Sequence, residues 1–107
     1  MTKKLDSTSF CDDMTEPGTM GARLRELRAL AEVSCSESDR LAGVCRGMTS
    51  YAELSGADIS SSRSAAYARV FGVSLDWLVS GEGPRPAKGV VQRAVQRARE
   101  RLRRSAA

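Results

Sequence analysis

Arginine is the residue type on which any chemistry of this chain must rest. The 107 residues carry 17 Lys and Arg against 13 Asp and Glu, a net charge of +4, with no histidine. That charge is unevenly placed. Residues 85–107 hold eight basic residues (Arg85, Lys88, Arg93, Arg97, Arg99, Arg101, Arg103, Arg104) against Glu100 alone, which gives +7. Residues 1–84 hold nine basic and twelve acidic residues, which gives −3. Guanidinium groups recognise phosphate and carboxylate through paired N–H donors, and phosphate neutralisation supplies most non-specific affinity for nucleic acid. Arg93, Arg97 and Arg101 recur every fourth residue, so a helix would carry them down one side.

Catalysis has little to draw on. The commonest general base, histidine, is missing, no carboxylate pair stands in an apolar context, and no glycine-rich phosphate loop occurs. The three cysteines, Cys11, Cys35 and Cys45, show no CxxC spacing. Without imidazole they cannot complete the usual zinc set, so they read as free thiols. No cofactor, no metal and no enzymatic activity are expected. No run approaches the roughly 18 apolar residues of a membrane helix, and the N-terminus lacks the apolar stretch of a secretory signal. A cytoplasmic protein without a membrane partner is the expectation.

The elements that must position these arginines are helical. Residues 1–18 are polar and end in Pro17-Gly18, which predicts a flexible N-terminal arm. Met20, Leu24, Leu27 and Ala31 make one apolar helix face, predicting a first helix over about 19–31. A second, unusually polar helix around Glu37–Leu41 could be capped by Ser34 or Ser36 and would end at Gly43. A third, over about 46–54, contains Met48, Tyr51, Ala52 and Leu54. After a loop anchored by Ile59, a fourth helix runs to Phe71 and stops at Gly72. A fifth starts on Ser74, buries Leu75, Trp77, Leu78 and Val79, and stops at Gly81-Glu82-Gly83-Pro84. The domain thus spans 19–84, followed by a basic C-terminal helix or tail over 85–107. In that tail Val91, Ala94, Val95, Ala98 and Leu102 form an apolar stripe, with Arg93, Arg97, Arg101 and Arg104 on another side.

Three stretches, GARLRELRALAEVS, LAGV and ARVFGVSLDWLVSGEGP, resemble the Cro/lambda-repressor-like (XRE-type) helix-turn-helix family over about residues 20–84. The resemblance implies an all-α, compact five-helix domain in which the third helix lies in the DNA major groove. Carried over by position, Arg46, Gly47, Thr49, Ser50 and Tyr51 would face bases or adjacent phosphates. Cys35 and Ser36 would lie at the start of the second helix, Cys35 replacing a common glutamine. Arg23 in the first helix, and Arg93, Arg97 and Arg101 in the tail, would hold phosphates. Departures cluster in the reading unit. Ser38-Asp39 replaces a Leu-Ala pair, Thr49 a β-branched aliphatic, and Leu54-Ser55 a basic-Gly pair.

Two functions follow. The first is a sequence-specific DNA-binding transcriptional regulator, a homodimer on double-stranded DNA, with the basic tail on phosphates. The second is a protein-interaction module on the same scaffold, such as an antirepressor, an antitoxin-like partner or a co-regulator, that no longer reads an operator. In either case the C-terminal helix could dock a protein partner.

Overall fold

The computed structural model describes residues 18–55 and 59–106, and in them the chain is all-α. Six helices follow one another: α1 Met20–Ala31, α2 Cys35–Ala42, α3 Met48–Ser55, α4 Ser61–Phe71, α5 Leu75–Ser80 and α6 Lys88–Ala106. The expected N-terminal arm lies, but for Gly18, outside the described residues.

Local chemistry sets most boundaries. Thr19, Ser34, Ser60 and Ser74 each accept, through the side-chain oxygen, an amide hydrogen from the residue three ahead. This satisfies one of the otherwise unpaired donors in the first turn. Of the two proposed caps for α2, Ser34 serves. Gly43 and Gly72 close α2 and α4 at φ 71° and 69°, a left-handed conformation that costs glycine little. Glu32 closes α1 in the same region at φ 57°, the one such residue without glycine's freedom among those described.

Leu24, Leu27, Tyr67, Phe71 and Leu78 are the largest apolar side chains at the centre, with Trp77 and Val70 beside them. Helix α1 runs through the middle and contacts α3, α5 and α6. Its approach to α3 is so close that a Cβ on Gly21 would collide with the Ala52 carbonyl.

Helix α6 belongs to this core. Val91, Val95 and Ala98 are buried in the same cluster as α1 and α4, and Ala94 is buried as well. Ala94 Cβ lies so near Gly72 that no side chain fits there. The amphipathic stripe read from the sequence is real, but it docks instead of hanging from a five-helix domain as a tail. Leu102, the last residue of that stripe, is left exposed.

The third helix also differs in its start. It begins at Met48 instead of Arg46, because Gly47 sits at φ 90° and Asp39 takes its amide. Asp39 Oδ2 accepts from Gly47 N and Oδ1 from Thr49 N, both at 2.9 Å. A carboxylate from α2 thereby caps α3, and the polar pair Ser38-Asp39 is buried with a purpose at Asp39.

Candidate nucleic-acid interface

The residues expected on the reading surface do not share one environment. Thr49 is fully buried, and its Oγ1 meets Tyr67 Oη at 2.8 Å. Thr49, the second residue of α3, is turned inward to Tyr67 of α4, so it is removed from the reading set. Arg46 and Gly47 are exposed in the turn before α3, not on it. Ser50 is half-buried. Tyr51 is 56% exposed and Leu54 38%, so the outward side of α3 is uncharged. At the start of α2, Cys35 is half-buried and Ser36 exposed.

Arg23 is consumed by the fold. Its Nε donates to Leu78 O at 2.8 Å, Nη2 to Val79 O at 2.7 Å and Nη1 to Gly18 O at 2.8 Å. One guanidinium therefore satisfies orphan carbonyls in the last turn of α5, and every nitrogen of its planar fork is already engaged inside the fold. Arg28 is likewise engaged. It grips the buried Glu53 with two bonds of 2.8 and 2.9 Å and also donates to Val33 O. This pair ties α1 to the end of α3.

Arg93, Arg97 and Arg101 are exposed on the outer side of α6, and Arg104 continues the row. No hydrogen bond or ion pair joins their guanidinium groups to another described residue. The neighbouring cations are engaged elsewhere. Arg99 Nε donates to Glu37 Oε2 at 2.7 Å, and Arg103 pairs with Glu100 at 2.8 Å. The Arg99 guanidinium, through its hydrogen bonds, holds the Glu37 carboxyl below the usual range, and Glu37 in turn raises Arg99. Glu37 lies in the first turn of α2, so this clasp fixes α6 to the start of the reading unit.

Two arginines that sequence reasoning did not assign to the site join Arg46 at the α2–α3 turn. A cleft of about 340 Å³ is lined by Ser36, Asp39, Arg40, Val44 and Arg46. A second, of about 330 Å³, lies across Val44 and includes Cys45, Ser62 and Arg63. Arg40, Arg46 and Arg63 come from three different segments, are exposed, and form no ion pair. The only sequence signal for Arg40 and Arg63 was their charge; their convergence depends on how α4 packs against α2. Among the described residues no group of three or more His, Cys, Asp or Glu could hold a metal ion, and no helix is long and apolar enough to cross a membrane.

The chain matches no family model, no curated protein sequence and no solved structure.

Proposed function

We propose that this protein is a sequence-specific, duplex-DNA-binding transcription regulator whose reading unit is α2, the Gly43 turn and α3, with α3 entering the major groove. One observation carries the reading. Three exposed arginines without ion pairs, Arg40, Arg46 and Arg63, converge on the clefts at the α2–α3 turn. Exposed cations that form no ion pair, gathered at one end of a helix pair, suit a polyanion. Arg46 would take a guanine edge bidentately or a phosphate. Ser50 and Tyr51 would donate from the outward side of α3, and Cys35 and Ser36 would lie beside the backbone at the start of α2. Thr49 takes no part because it is buried, and Arg23 serves the fold through its bonds to Leu78, Val79 and Gly18. The protein would act as a homodimer on half-sites about one helical turn apart. Leu75 and Val79, exposed on α5, offer an apolar contact for it.

Selection from random duplexes at physiological salt tests this, using the full chain and Arg46→Ala. The wild type should recover a defined motif. Arg46→Ala should bind that motif roughly 5- to 150-fold more weakly, the equivalent of about 1–3 kcal/mol for a lost base contact. Loss of no affinity would remove Arg46 from the interface.

A second reading has its own support in the uncharged outward side of α3, where Tyr51 and Leu54 are exposed. On this reading the scaffold presents α3 to a protein. Absence of any selected motif, together with a stoichiometric protein partner on pull-down, would decide for it.

A further inference from the structure

We propose that the outer side of α6 is a fixed phosphate ladder for one strand of duplex DNA, held in register with the α2–α3 unit. The proposal rests on the DNA-binding reading above and specifies a part of the interface that the helix-turn-helix itself does not contain.

Charge on α6 is sorted by position. Arg99 and Arg103, which flank the row, are neutralised by Glu37 and Glu100. Arg93, Arg97, Arg101 and Arg104 are exposed and without a described partner. They recur at intervals of four, four and three residues, so at 1.5 Å per residue the row is about 16 Å long. It lies opposite Val91, Val95 and Ala98, which are buried. A duplex strand offers a phosphate about every 3.4 Å of helix axis, a regular polyanion that suits a regular row of cations. A membrane surface fits less well, because Val90 and Leu102 are the large apolar residues exposed on α6 and no aromatic accompanies them.

The ladder is anchored to the core. Burial of Val91, Ala94, Val95 and Ala98 seats α6 on α1 and α4, and Gln92 Nε2 donates to Leu30 O at 3.2 Å. The Arg99–Glu37 clasp then fastens it to the first turn of α2. Arg101 and Arg104 follow that clasp along the same helix. Arginines placed this way lose less conformational freedom on binding than those of a loose tail.

The test compares the full chain with the quadruple variant Arg93→Gln, Arg97→Gln, Arg101→Gln and Arg104→Gln. Binding to a random-sequence duplex is titrated between 50 and 200 mM salt, about the range over which phosphate contacts are resolved. Each phosphate contact contributes about 0.9 to the slope of log affinity against log salt. The variant should therefore lose roughly 3–4 units of slope while selecting the same motif as wild type. Arg85→Gln, which opens the exposed Glu26 pair instead, should leave the slope unchanged. If the quadruple variant does not melt like wild type, the pairs Arg93/Arg97 and Arg101/Arg104 are replaced separately, each expected to remove about two units. An unchanged slope in folded variants overturns the ladder and leaves the helix-turn-helix reading standing. A wild type that binds no duplex even at the lowest salt overturns both.

Discussion

Ser38 is fully buried in α2, and its Oγ has no hydrogen-bond partner. An unsatisfied buried hydroxyl costs about 1–3 kcal/mol, and alanine is the better helix former. Ser38→Ala should therefore stabilise the fold by about 1 kcal/mol, a rise of roughly 4–8 °C in Tm for a domain of this size. Thermal denaturation followed by circular dichroism reads it, and a lowered Tm would show that Oγ is satisfied after all. Its neighbours behave oppositely. Both oxygens of Asp39 accept backbone amides, and Thr49 shares a hydroxyl bond with Tyr67. These polar side chains stand where methyl groups would serve a small core, yet all their groups are paired. Glu53 is buried only because Arg28 meets it with two donors. Removing one partner of such a pair costs about 3 kcal/mol or more, since the other charge is left stranded.

At the scale of elements, α6 decides which experiments are interpretable. Val91, Val95, Ala94 and Ala98 bury their side chains against α1 and α4. Each valine is worth about 1.5–3 kcal/mol on burial, so the helix supplies some 3–6 kcal/mol of a total stability on the order of 5–15. A chain ending at Ala87 should melt far below the full protein or lose its cooperative transition, seen by denaturant titration. Sharp unfolding of that truncation at the wild-type midpoint would mean that five helices suffice. Deleting the C-terminal segment is thus a poor probe of charge, whereas replacing its outer arginines leaves the packed side intact. Gly72 shows the same dependence from the other partner: its left-handed φ of 69° ends α4, and its missing side chain admits Ala94.

For the whole molecule, Tyr67 and Glu37 set the pH range of stability. Burial pushes Tyr67 up to about 12 from an ordinary value near 10. The folded state thus holds this proton more tightly than the unfolded chain. The resulting stability is complete below pH 10 and lost as pH rises through about 12. Glu37 works at the other end. Its carboxyl is depressed by Arg99, so its contribution is present above the unfolded value and fades as pH falls through the lower folded one. Tm should hold steady near neutrality and fall above pH 10, and Tyr67→Phe should abolish the late phenolate step in ultraviolet absorbance. A single early phenolate transition in the wild type would contradict the burial of Tyr67.

The sequence by itself determined the helices and most of their ends. Caps such as Thr19, Ser34 and Ser74, and stops such as Gly43, Gly72 and Gly81, act over three or four residues. Apolar spacing in Met20, Leu24 and Leu27, or in Val91, Val95 and Ala98, likewise marked the sides that are buried. What a charged or polar side chain does could not be read this way, because its partner lies far along the chain. Arg23 reaches carbonyls at Leu78 and Val79, Arg28 meets Glu53, Thr49 meets Tyr67, and Arg99 crosses to Glu37. Only tertiary packing brought those groups together, and by pairing some arginines internally it left others, Arg40, Arg46, Arg63 and the outer row of α6, facing solvent. Local hydrogen bonding and hydrophobic period fix the elements, whereas the fate of each charge is fixed by the neighbours that folding supplies.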